Sequence, residues 1–173
     1  MNILDIPLVR RTRRNHAIEH ATIHVLTGQF PKVSLAGRAD SGGFYVYGPV
    51  DTEAVKLAAD QAIERLRLEP ELAVHPFCGT NLVVGGMVAG LASLVALATL
   101  PESRRPARAF DVLPRLMLAG TFATIASQQL GPKVQEHITT LPDTLGVKIK
   151  SVTRIDRGKH PMHRVEVMDE SKE

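Results

Sequence analysis

Residues 82–100 read LVVGGMVAGLASLVALATL, an uninterrupted apolar run with no charged residue and no Asn, Gln or His. At 1.5 Å per residue such a helix extends roughly 28 Å, about the thickness of a bilayer's hydrocarbon core. The run lies in the middle of a 173-residue chain whose aromatic content is 4%. Little material is left to wrap a fully buried central helix, so a transmembrane span is expected. Residues 101–115, PESRRPARAFDVLPR, are rich in proline and arginine and read as the loop that ends this span and starts another. The next apolar stretch, 116–130, LMLAGTFATIASQQL, is short for a span by itself. It gains the length if 110–113 are added and Arg115 reaches back to the headgroups. The reading is a two-helix transmembrane hairpin over 81–131, with both ends on one side of the bilayer.

Small residues in the hairpin let backbones approach. Gly86 and Gly90 form a G-x-x-x-G step that Ala89 and Ser93 extend, and Ala119, Ala123, Ala126 and Ser127 line the second segment. This pattern serves equally for packing within the chain, for a homo-oligomer, or for docking in a larger membrane complex through the Gly86/Gly90 face.

The remaining sequence reads as one α+β head divided by the hairpin, with residues 1–80 before it and 132–173 after it. Residues 7–27 have helical character, and Gly28 is placed to end that helix. Residues 32–39 and 44–50 read as strands joined by Asp40, Ser41, Gly42 and Gly43. Asp51 opens a helix to about residue 68, with apolar positions at Val55, Ala58, Ala59, Ala62, Ile63 and Leu66. Residues 147–155 and 164–168 suggest a second hairpin, turning through the Gly158 and Pro161 region. The architecture expected is a small antiparallel sheet, one hairpin from each end of the chain, with two soluble helices packed on it. Both halves of the head must then lie on one membrane face, which itself requires an even number of spans.

Composition excludes several classes. A net charge of +3 spread along the chain, with no tryptophan, supplies few stacking platforms and no concentrated basic face, so nucleic acid is not an expected partner. The single cysteine, Cys78, rules out an internal disulfide framework. The N-terminal sixteen residues place their positive charges after a short apolar run, the wrong order for a secretory signal. Arg104, Arg105 and Arg108 favour the inter-span loop in the cytoplasm, but exporting a folded head without a signal is the harder route. The expected location is the bacterial inner membrane with the head in the cytoplasm.

The chemistry is concentrated at residues 15–24, NHAIEHATIH. On a helix His16, His20 and His24 advance by only about 40° each, forming one stripe with Glu19 at its edge. Ala17, Ile18, Ala21, Thr22, Val25 and Leu26 occupy the opposite side, the side expected against the sheet. Residues 16–20 spell H-x-x-E-H. Two imidazoles at i and i+4 hold one Zn²⁺ while a carboxylate at i+3 deprotonates a bound water. This order resembles the inverzincin peptidases, which implies His16 and His20 as ligands and Glu19 as the catalytic base. The resemblance covers five residues and places no distal glutamate; Glu64, Glu69 and Glu71 are available. A second cluster, VHPFCGTN at 74–81, brings His75 and Cys78 three apart, both good ligands for a borderline metal. The alternative is structural, with Cys78 a small buried hydrophobe, His75 capping a turn, and Thr80 and Asn81 capping the apolar helix. His137 either supplies a further ligand or marks a solvated helix end, while His160 and His163 flank a predicted turn and read as surface residues.

The block RRNHAIEHATIHVL, followed at a distance by AVHPFCGTNLVVGG, resembles an uncharacterised family of bacterial membrane-associated proteins, a domain of unknown function found in cyanobacteria and green non-sulfur bacteria. The family's marks are an N-H-A-x-E-H-A-T block and an H-P-x-C-G-T-N block. The resemblance implies an integral membrane protein and supplies no activity. Three functions stay open: a zinc-dependent hydrolase of peptidase type, a non-catalytic metal or haem-binding membrane protein, and an assembly subunit of a larger membrane complex.

Overall fold

A computed structural model describes residues 2–99, 109–155 and 161–170. The chain forms two compact units, one of Met1–His75 with Glu136–Glu173 and one of Pro76–Gln135.

In the first unit, helix α1 (Pro7–Gln29) begins with proline at its first position, where the missing N–H costs no hydrogen bond. It runs two residues beyond the sequence expectation. Gly28 is its penultimate residue, and the backbone N–H of Phe30 closes the last turn on the carbonyl of Leu26, 2.7 Å away. Strands β1 (Ala36–Asp40) and β2 (Gly43–Tyr47) pair antiparallel from Ala36↔Tyr47 to Asp40↔Gly43. β1 is shorter than expected because 32–35 precede it as a loop. Gly43, at φ 148°, makes the turn that a side chain would strain. Helix α2 (Thr52–Leu68) starts after Asp51, which occupies the N-cap position without a side-chain capping bond, and buries the six apolar positions expected of it. Strands β3 (Val147–Arg154) and β4 (Met162–Asp169) form the second hairpin, and β4 lies against β2.

The sheet order is β1-β2-β4-β3, antiparallel throughout, so the two hairpins meet at the β2–β4 pair. Helices α1 and α2 cover one face. Ile18, Leu26, Phe44, Val46, Val55, Leu66, Val147 and Val165 form the core between them. All six residues expected on the sheet-facing side of α1 are buried. His163 is a correction. Alternation along β4 turns it to the helix-covered face, where it is fully buried with Nε2 3.2 Å from the Thr52 hydroxyl. His160 and most of the turn before it lie outside the described residues.

The second unit pairs helix α3 (Gly79–Ala98) with helix α4 (Ala109–Val134). A π-helical turn, Gln135–Thr139, then leads back to the first unit. Among the described residues, α3 is the one helix long and apolar enough to cross a membrane, which corrects the expectation of a two-helix transmembrane hairpin. The reason is composition: α4 carries Arg115, Gln128, Gln129 and Lys133 and holds Pro114 and Pro132 inside the helix. Arg115 does not reach out alone, because it donates to the Thr99 hydroxyl at 2.8 Å, closing the ends of the two helices on each other. The loop arginines used for orientation, Arg104, Arg105 and Arg108, lie outside the described residues.

The packing within this unit also decides what the small residues do. A Cβ at Gly85 would meet Ser127 Oγ at 3.3 Å, and one at Gly131 would fall 3.3 Å from Asn81 Cα with the Asn81 side chain nearer still. Gly86 and Gly90 have nothing within 4 Å. The α3–α4 seam therefore uses Gly85 and Gly131, and the G-x-x-x-G step faces away from it.

Candidate metal centre

Helix α1 carries the centre because the His16–His20 part of its polar stripe is withdrawn from solvent. His20 is 3% exposed and Glu19 5%, while His16 is half-buried. Asn15, also buried, donates through Nδ2 to the Asp40 carbonyl at 2.8 Å and so fixes the helix against the β1–β2 turn. Arg13 donates to the carbonyls of His137 and Thr140, both at 3.1 Å, and holds the segment after the π-helical turn against α1.

These attachments bring backbone carbonyls to the imidazoles. His16 Nδ1 lies 3.0 Å from the Thr139 carbonyl and His20 Nδ1 lies 2.6 Å from the Ala73 carbonyl. A carbonyl only accepts, so Nδ1 is the donor in each ring, and metal binding would fall to Nε2. The two Nε2 atoms converge on one carboxylate oxygen, Glu19 Oε2, at 3.9 and 4.0 Å. The rings stand edge to face with centroids 4.3 Å apart. Two imidazoles held through Nδ1–H bonds, with both Nε2 atoms about 4 Å from one carboxylate oxygen, form a group that could hold a metal ion.

His75 joins them from the segment after the 3₁₀ turn Pro70–Ala73, its ring centroid 5.6 Å from that of His20. Burial pushes its pKa down, helped by the nearby His20 and His24, which favours the neutral, metal-binding form. Burial also pushes the Glu19 carboxyl up to about 7, against a smaller opposing effect of His16. His24, one turn further along α1, is exposed and stands outside the convergence of His16, Glu19 and His20. Cys78 belongs to the second unit, where it N-caps α3 and its sulfur accepts from the Thr80 backbone N–H at 3.4 Å. Asn81 ties the same helix start to its own unit, donating to the Pro76 carbonyl at 2.7 Å and accepting from Gln135 at 2.6 Å.

Residue patterns alone did not point to Gly37. A Cβ there would lie 2.7 Å from Glu19 Cγ and closer still to the carboxyl group. The Glu19 side chain therefore lies against bare strand backbone. A glycine inside a strand signals such close approach, and that is the sequence signal by which it was findable. Nothing in the residue types of Ala73 and Thr139 marks them, because the groups that meet the imidazoles are backbone carbonyls.

The family model described as "Domain of unknown function (DUF6391)" matches residues 11–152. The chain belongs to that family. The DUF6391 match contains His16, Glu19, His20, His75 and Cys78 together with α3 and α4, and it ends inside β3. A second similarity runs over 168 residues, 36% identical, to an uncharacterized protein of Picosynechococcus sp., covering 88% of this chain and 77% of that protein. No solved structure matches the chain. Neither similarity extends the inverzincin likeness of this DUF6391 protein beyond its five residues.

Proposed function

We propose that this is an integral membrane protein whose head binds a divalent transition metal, zinc first among the candidates, through Nε2 of His16 and His20. The observation that carries the reading is the pair of Nδ1 bonds to the Thr139 and Ala73 carbonyls, which orients the two rings with their Nε2 atoms 3.9 and 4.0 Å from Glu19 Oε2. His75 is a further nitrogen donor, its ring centroid 5.6 Å from that of His20. Cys78, three residues on in the chain, is the sulfur donor offered by the H-P-x-C spacing. Haem is the weaker alternative, because the two imidazoles already face one carboxylate across a narrow gap.

Membrane insertion is part of the same proposal. α3 has no buried residue, and Leu82, Met87, Leu91 and Leu94 are exposed along it, as are Met117, Phe122 and Ile125 on α4. A chain that crosses at α3 must come back to the same side, because β1–β2 before the pair and β3–β4 after it share one sheet. Helix α4, although less apolar than α3, is the described helix that would carry it. The location proposed is the cell membrane with the head on the cytoplasmic side; the sheet itself requires only that both halves of the head lie on one side. The open Gly86/Gly90 face is where a second copy or another subunit of a membrane complex would pack.

Elemental analysis of detergent-purified full chain, beside His16→Ala, His20→Ala and Cys78→Ser, tests the site. About one equivalent of metal, lost in both histidine variants, is the result expected for an ordinary mononuclear site. Failure of added Zn²⁺ or Co²⁺ to bind, or equal binding by both histidine variants, would overturn it. Hydrolysis is the second reading, favoured by the Glu19 carboxyl near pH 7, where a general base operates best. Glu19→Gln should then retain the metal and lose turnover of peptide or ester substrates.

A further inference from the structure

Alternation along β2 sends Phe44 and Val46 into the core and Tyr45 and Tyr47 to the opposite face. Helices α1 and α2 pack on the Phe44/Val46 side, and among the described residues of this unit no helix covers the tyrosine side. The chain has two tyrosines and no tryptophan. Both rings thus stand on one patch, centroids 6.4 Å apart and inclined by 32°. The sheet and its adjoining loops form a cavity of about 780 Å³ there, walled by Leu35, Pro49 and Met162 and edged by Arg38. That capacity suits a small-molecule ligand.

The charges on the patch do not cancel. The strand register sets Arg38, Tyr45 and Arg164 in one row across β1, β2 and β4. The Arg164 guanidinium lies 4.6 Å over the Tyr45 ring and is neutralised by both Asp40 carboxylate oxygens, at 2.7 and 2.9 Å. This pairing also consumes Asp40, whose carboxyl is held below its usual range by the Arg164 hydrogen bonds. Arg38 is exposed, lines the cavity and makes no ion pair among the described residues. An aromatic wall beside one uncompensated guanidinium recognises a planar ring carrying a carboxylate or phosphate: the ring lies on a tyrosine face and the anion takes the guanidinium fork.

We propose that this face of the sheet binds a small aromatic anion of nucleotide size, with Tyr45 and Tyr47 against the ring and Arg38 on the anionic group. The inference is independent of the metal centre, which lies on the helix-covered side. Composition alone argued against a stacking surface, but the fold places every tyrosine of the chain in one cavity.

Adenosine monophosphate is the first probe, titrated into the detergent-solubilised full chain by calorimetry. Tyrosine emission, corrected for probe absorbance, is read in parallel and arises from Tyr45 and Tyr47 alone. Saturable binding is expected, weakened about tenfold or more in Arg38→Gln, in keeping with a charge-assisted hydrogen bond. Tyr47→Leu should weaken it by a similar factor and Arg11→Gln should leave it unchanged. No saturable binding, full affinity in Arg38→Gln, or inorganic phosphate binding as tightly as the nucleotide would each overturn the proposal. So would binding of a single-stranded oligonucleotide without binding of the mononucleotide.

Discussion

Glycine 37 and Glu19 are the tightest steric pair around the centre, and replacing the glycine by alanine measures how firmly the carboxylate is held. The new Cβ would stand 2.7 Å from Glu19 Cγ and closer to the carboxyl carbon and oxygen. Glu19 is 5% exposed, with His16 and His20 beside its carboxylate. It has no open side to move to, so strand or side chain must shift. Overpacking of that kind costs about 1–3 kcal/mol. Removing a glycine from a position without such a clash stabilises by about 0.4–1 kcal/mol through the unfolded chain. Gly37→Ala is therefore expected to destabilise the wild type by about 1–3 kcal/mol, and to be neutral or mildly stabilising when Glu19 is already alanine. The difference, a coupling of about 2 kcal/mol, lies well above what independent sites show. Urea unfolding of the four proteins in mild detergent, followed by tyrosine emission, gives the cycle. Both tyrosines are in β2, so the signal reports the first unit. Equal cost of Gly37→Ala with and without the Glu19 side chain would refute the close approach and with it the positioning of the carboxylate.

With metal chelated, the folded chain keeps the Glu19 proton up to about pH 7, whereas the unfolded chain releases it near 4.5. Stability must therefore fall as pH rises through that window, by about 3 kcal/mol in all, and Glu19→Gln should remove the slope in unfolding curves taken between about pH 5 and about pH 8. Arg14 and Asp169 form an ion pair at 2.5 Å with both side chains largely buried, so Arg14→Met takes a buried guanidinium from that carboxylate and should cost about 3 kcal/mol in the same assay. In the second unit, Gly131→Val should loosen the α3–α4 seam and lower the melting temperature of the helical signal. Gly86→Val, facing open space, should leave it unchanged in dilute detergent.

The sequence by itself determined the order and type of most elements, because each rests on local chemistry. Period-3.6 apolar spacing marks α1 and α2, the Asp-Ser-Gly-Gly turn marks the first β-hairpin, and an uncharged run marks α3. The joining of two hairpins into one sheet was also legible, since neither is stable alone. Tertiary packing decided the rest. The pattern of α1 showed which residues share a stripe, but not that its His16–His20 part is withdrawn from solvent. That depends on Arg13 holding the 137–140 segment on α1 and on the Ala73 and Thr139 carbonyls, whose residue types carry no signal. His163 looked like a turn residue until the strand register fixed its face. Gly86 and Gly90 served equally as an intrachain seam or as a docking face until packing gave the seam to Gly85 and Gly131. Residue spacing fixes which side chains lie on one face, while the elements brought against that face fix which groups lose water, which lone pairs are left to bind, and which charges stay unpaired.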